Sequence, residues 1–156
     1  MGFKYISMLK FKLVPPENAF MSLLLEADPS EVSVRKYLEN SCCYVAEQSD
    51  KTVGICVLNA IDNGNVELFN IAVSPTVQGK GVGTALLEHV IKSVKARGVS
   101  CIELGTGTFG YQLSFYQRLG FRVDSIVKDF FIDNYDQPIF EAGIQHKDML
   151  RLVLML

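Results

Sequence analysis

Residues 66–98 read VELFNIAVSPTVQGKGVGTALLEHVIKSVKARG, and this stretch decides how the rest of the chain is read. Its first eight residues alternate. Glu67, Phe69, Ile71 and Val73 point one way, and Val66, Leu68, Asn70 and Ala72 the other, as in a strand. Pro75 ends the run, because proline cannot donate to a sheet ladder. From Gly79 to Gly83 every second residue is glycine, so the backbone can adopt conformations closed to other residues and lie close to a ligand. Thr84 follows as a cap or first-turn residue. Leu86, Leu87, Val90, Ile91 and Val94 then recur at helical spacing, with Glu88, His89, Lys92 and Lys95 off that face. Gly98 is a fitting stop. A glycine loop that opens a helix gathers free N–H groups at the positive end of a helix dipole, which is a phosphate-binding device.

Three phosphate loops compete for this pattern. A P-loop fails, because Gly79-Lys80 is followed by Gly81 and no glycine stands at the required distance upstream. A dinucleotide fingerprint finds its first two glycines in Gly79 and Gly81 and an acidic residue in Glu103, but Thr84 replaces its third glycine. Residues 74–78 also separate strand from loop, and the reading stays as an alternative. The third pattern is Gln-x-x-Gly-x-Gly, carried by Gln78, Gly81 and Gly83 after Ile71-Ala72-Val73. It resembles the acyl-CoA signature of the GNAT superfamily of N-acyltransferases. A second marker of that family, a tyrosine four residues before Gly-Phe, resembles Tyr116 ahead of Gly120-Phe121. The resemblance spans about residues 42–123.

The resemblance implies an α/β (α+β) GNAT-like fold, with a central mixed, mostly antiparallel sheet of about seven strands and about four helices. The chain is expected to form one domain over residues 1–156. The implied activity is transfer of an acetyl group from acetyl-CoA to a primary amine by direct attack in a ternary complex. Backbone N–H groups of Gln78, Gly79, Lys80, Gly81, Val82, Gly83 and Thr84 would hold the pyrophosphate. Main-chain groups of Ile71, Ala72 and Val73 would pair with the pantetheine arm beside a bulge, while the side chains of Ile71 and Val73 serve as core. The Val73 N–H would polarise the thioester carbonyl. Tyr116 would protonate the leaving thiolate, a task suited to a phenol with an ordinary pKa of about 10. Glu67 is the first candidate for the base, working through water, since six residues at about 3.3 Å each put it roughly 20 Å from Val73. Glu103 and Glu26 follow it. Thr106, in the stretch Gly105-Thr106-Gly107-Thr108, stands where relatives carry an asparagine that contacts the cofactor. The alternative from a different class is an acyl-CoA-binding sensor or regulatory module on the same fold.

The rest of the chain agrees with one compact domain. It has 156 residues, 49% of them hydrophobic and 21% charged, enough for a sizeable core. With a net charge of −2 and no basic run, nothing marks a nucleic-acid binder, and no nucleic-acid partner is expected. Two histidines and four cysteines without Cys-x-x-Cys spacing give no metal site, and the cysteines read as inert thiols. Lys4, Lys10 and Lys12 interrupt any leader-like apolar core, and no apolar run reaches membrane-spanning length, so a reduced cytoplasmic setting without membrane contact is expected. A first strand is expected over Lys4–Val14, helices over Glu17–Ala27 and Ser30–Leu38, and strands over Cys42–Gln48 and Thr52–Ala60. The helix 1 to helix 2 region would form the acceptor site by resemblance. A strand over Ser100–Leu104 and a helix over Tyr111–Leu119 come next. A bent strand over Arg122–Ile132 and a last strand over Met149–Leu156, whose exposed edge permits a homodimer, complete the plan.

Overall fold

The computed structural model describes residues 2–156. It is a mixed α/β fold whose main sheet has seven strands, with antiparallel pairing throughout each part described below, and a separate two-stranded hairpin. The chain divides into two compact units, one ending at Val99 and the other spanning Ser100–Leu156.

The first unit places four strands side by side: β1 (Lys10–Val14), β2 (Cys42–Gln48), β3 (Lys51–Ala60) and β4 (Val66–Val73). β3 is buried on both faces from Val53 to Leu58, as a central strand must be. Its hairpin with β2 turns on Ser49 and Asp50, both at positive φ, the turn whose twist suits antiparallel strands. Helices α2 (Met21–Ala27) and α3 (Glu31–Leu38) cover one face. There Leu23, Leu24 and Val34 pack with Cys43, Val45, Ile55, Val57 and Ala72. The long helix α4 (Val82–Ala96) covers the other face. Gly54 lacks a side chain there because a Cβ would press on Leu86 and Val82 at 3.3 and 3.4 Å. On α4, His89 stacks on Phe11 and meets Tyr44 edge-on. Burial foremost, then Lys92, pulls its pKa down, so it packs as a neutral ring.

Local signals fixed several boundaries. Ser30 caps α3, its hydroxyl accepting from the Ser33 N–H at 3.2 Å. Ser30→Ala should therefore lower the unfolding free energy by about 1 kcal/mol, measured by urea denaturation; an unchanged midpoint would show that the cap contributes nothing. The expected first strand from Lys4 is corrected. Residues Gly2–Ser7 form a short helix, α1, and the strand begins at Lys10. Tertiary contacts hold α1: the Tyr5 hydroxyl donates to Gln48 Oε1 at 3.3 Å, and the Lys80 ammonium sits 5.0 Å from the Tyr5 ring centroid. The helix expected from Glu17 starts at Met21, because Pro16–Asn18 forms a separate 3-10 turn with Pro16 in its first position.

In the second unit β5 (Cys101–Gly107), β9 (Met149–Met155) and β6 (Arg122–Val127) lie in that order. The last strand is therefore paired on both sides, and the edge expected there for a homodimer belongs to β6, whose six residues are all exposed. Helix α5 (Tyr111–Arg118) follows β5. The expected bent strand over Arg122–Ile132 ends at Val127, and the short helix α6 (Phe130–Asn134) takes over after Asp129, which sits at φ 59. A hairpin that the sequence reading did not anticipate, β7 (Ile139–Glu141) with β8 (Ile144–His146), turns on Ala142-Gly143. Of the four cysteines, Cys43, Cys56 and Cys101 are buried and all four are free; burial pushes those three thiols up, as inert core thiols require. No described helix is long and apolar enough to cross a membrane. No group of three or more His, Cys, Asp or Glu among the described residues could hold a metal ion.

Candidate active site

The chemistry-bearing end of the first unit begins where β4 runs out. Val73 pairs with Gly54, and the Ser74 N–H continues the ladder to the Val53 carbonyl at 2.8 Å. The chain then makes a 3-10 turn over Pro75–Val77, anchored by buried Val77. Gln78 follows, and its side-chain amide donates back to the Val73 carbonyl at 3.1 Å. That contact ties the loop to the strand end through the Gln78 side chain.

Gly79 and Gly81 both occupy the left-handed region, at φ 78 and 82, where a side chain is strained. Gly81 is the N-cap of α4, and no side chain caps it. The helix starts at Val82, so Gly83 and Thr84 lie within its first turn, one of the two places expected for Thr84. The N–H groups of Val82, Gly83 and Thr84 thus precede the first intrahelical bond, which runs from the Ala85 N–H to the Gly81 carbonyl at 3.0 Å. Gln78, Gly79, Lys80, Gly81 and Thr84 are exposed. A fifteen-residue helix with an exposed N-cap and no side-chain cap, entered through two left-handed glycines, fits a pyrophosphate. A Cβ on Gly81 would lie 3.5 Å from Ile6, so α1 sits beside this loop.

β4 carries a bulge at Phe69, in its ladder with β3 and ahead of the Ile71–Val73 stretch: Val57 pairs with Asn70 and Leu58 with Leu68. Ala72 belongs to the core, whereas Ile71 and Val73, expected as core side chains, are only half-buried on the α4 face. Glu67 lies half-buried at the opposite end of the strand, opposite Asn59. Alternation puts Asn70 on the face opposite Ile71 and Val73 and gives it no further role. It is 3% exposed and donates to the Leu24 carbonyl at 3.0 Å and to the Tyr37 hydroxyl at 2.9 Å. Tyr37 in turn donates to Asp28 Oδ2 at 3.1 Å and stacks on Phe69. This network joins α2, the α2–α3 turn and α3 to the bulged strand, and its sequence signal was an amide between Leu68 and Ala72 on the core face.

In the second unit, Tyr116 is on α5, 4% exposed and edge-on to Phe115 and Phe121. The strand expected to end at Leu104 continues to Gly107, so Thr106 is a buried strand residue opposite Leu150 rather than a loop residue. Both neighbouring glycines are strand glycines kept small by what lies over them. At Gly105 a Cβ would strike the Met149 sulfur, and at Gly107 the His146 ring.

A helix entered through two left-handed glycines, without a side-chain cap, after a strand bulged at Phe69 is an arrangement suited to a phosphorylated ligand. Comparison with known proteins narrows the choice. The profile of the family described as "Acetyltransferase (GNAT) domain" matches residues 39–123. The uncharacterized N-acetyltransferase YvbK of Bacillus subtilis is 47% identical over 133 residues, covering 85% of this chain and 86% of that protein. Two solved structures superpose with a TM-score of 0.90 each. They are the IAA acetyltransferase from Bacillus cereus (40% identity, 95% and 99% of the two chains) and a GNAT family acetyltransferase from Elizabethkingia anophelis with acetyl-CoA bound (36%, 96% and 99%). The chain belongs to the GNAT acetyltransferase family.

Proposed function

We propose that this protein is an acetyl-CoA-dependent N-acetyltransferase that delivers the acetyl group to a primary amine of a small molecule or peptide by direct attack in a ternary complex. The reading treats residues 1–156 as one functional domain. The single observation that carries it is the exposed, uncapped N-terminus of α4 behind Gly79 and Gly81, with acetyl-CoA bound in the Elizabethkingia relative as support.

Acetyl-CoA, when bound, supplies the activated acetyl thioester. The N–H groups from Gln78 to Thr84 bind its pyrophosphate, with Lys80 adding positive charge at the same loop. Main-chain groups of Ile71, Ala72 and Val73 orient the pantetheine arm, and the Val73 N–H stabilises negative charge on the acetyl oxygen. Tyr116 delivers its hydroxyl proton to the departing sulfur, and Glu67 draws the amine proton through water. Thr106 takes part through its main chain, since its side chain is withdrawn from the surface.

Thermal unfolding with acetyl-CoA, CoA and NADH in parallel tests the cofactor. A ligand at a hundred times its dissociation constant stabilises by about 2.7 kcal/mol. We expect a rise in melting temperature with both CoA species and none with NADH, followed by amine-dependent thiol release in an acceptor screen. A rise with NADH alone would restore the dinucleotide alternative. Stabilisation by CoA without turnover across the screen would favour the sensor.

A further inference from the structure

The glycines of Gly107-Thr108-Phe109-Gly110 enclose two side chains that the acetyl-transfer reading does not use. His146, at the end of β8, is 7% exposed and lies flat on Phe109, ring centroids 4.1 Å apart, with Phe131 tilted against it at 5.7 Å. Its Nε2 donates to Glu141 Oε1 at 2.9 Å. The other carboxylate oxygen, Oε2, accepts the Tyr111 N–H at 3.2 Å. Tyr111 is the first residue of α5, and the N-cap residue before it, Gly110, has no side chain to offer. Glu141 therefore supplies from a distant hairpin both the hydrogen bond and the negative charge that a helix N-terminus favours.

The backbone is shaped around this pair. At Gly110, with φ 106, a Cβ would fall on the Glu141 carboxylate, and at Gly107 it would fall on the His146 ring. The whole passage from the end of β5 to the first turn of α5 is thus moulded on two side chains of the β7–β8 hairpin. Hydrogen bonding from His146 foremost holds the Glu141 carboxyl below its ordinary range, which keeps it an ionised acceptor. With Nε2 carrying the proton, Nδ1 is left as a buried acceptor without a partner among the described residues. It lies over Gly107, in the space that a Cβ there would occupy.

We propose that Glu141 and His146 are positioning residues: they set the N-terminus of α5 and thereby aim Tyr116, carried on the same helix, at the departing sulfur. The inference rests on the reading of Tyr116 as proton donor. A helix of eight residues has no second anchor of this kind at its start, and a side chain misplaced by about 1 Å can cost on the order of a hundredfold in rate. The pair acts through Tyr116 and touches no reacting atom.

A double-mutant cycle tests this. Glu141→Gln keeps the shape and an acceptor for the Tyr111 N–H while removing the charge; His146→Gln removes the ring that orients the carboxylate. Each should lower kcat by about tenfold while the KM for acetyl-CoA stays within about twofold. In a Tyr116→Phe background each should change kcat by less than about twofold, because the group they aim is gone. Full loss on top of Tyr116→Phe, or wild-type kcat in the folded Glu141→Gln variant, would overturn the positioning role. If His146→Gln is not folded at the assay temperature, Glu141→Gln decides alone. Wild-type turnover in Tyr116→Phe by itself would remove the proton-donor reading, and the positioning role with it. That result is read from the single variant and is distinct from additivity in the cycle.

Discussion

Gly81→Glu should abolish measurable CoA binding while leaving the protein folded. Gly81 sits at φ 82 as the N-cap of α4. Any side chain there carries left-handed backbone strain of about 1–3 kcal/mol. A carboxylate at that position would also stand where the pyrophosphate is proposed to bind. At about 5 Å and an effective dielectric near 20, one pair of like charges repels by about 3 kcal/mol, more than a hundredfold in affinity. The same carboxylate lies at a helix N-terminus, where a negative charge contributes about 0.3–1 kcal/mol of stability and offsets part of the strain. The added Cβ would meet the Ile6 side chain at 3.5 Å, an ordinary contact. Gly81→Ala separates the two effects, since it has the strain without the charge and should bind CoA with intermediate affinity. Calorimetric titration of both variants checks the expectation. Wild-type affinity in Gly81→Glu would move the pyrophosphate away from this loop.

Tyr116→Phe should cut kcat by about a hundredfold or more, within the range of a lost general acid, at nearly unchanged affinity for acetyl-CoA. The change removes one oxygen from a side chain that is 4% exposed, and it retains the edge-on contacts with Phe115 and Phe121. Packing is therefore conserved, and a pure packing role would leave turnover alone. Single-turnover measurements of thiol release, compared with the equilibrium affinity for acetyl-CoA, separate the two. Equal rates in the two proteins would return Tyr116 to the core.

Short-range rules carried much of the sequence reading. The bounds of Val66–Val73 match β4, although the bulge at Phe69 interrupts the strict alternation expected there, and Cys42–Gln48 is β2 as expected. Ser30 caps α3 as its type predicts. The left-handed glycines at 79 and 81 stand where a glycine loop must have them. The family itself was legible from two markers, because main-chain binding of a phosphate demands glycines at set positions and tolerates little else. Where the reading missed, the cause was a partner remote in sequence. Residues 2–7 form a helix on contacts to Gln48, Lys80 and Gly81. β5 runs on to Gly107 because β9 pairs with it that far. The β7–β8 hairpin had no counterpart in the expected plan, since three-residue strands leave almost no periodicity.

By itself, then, the sequence determined the strand–loop–helix unit with its glycine-entered helix start, and with it the family. These follow from backbone propensities, which act over a few residues. The tertiary structure alone decided the rest. It buried Asn70 against Leu24 and Tyr37, and it replaced the free edge expected at the last strand by β6. It also made Gly107 and Gly110 the space that His146 and Glu141 fill. The physical reason is common to all three: a hydrogen bond or an excluded Cβ depends on which atoms arrive from elsewhere in the chain, and no local pattern encodes that arrival.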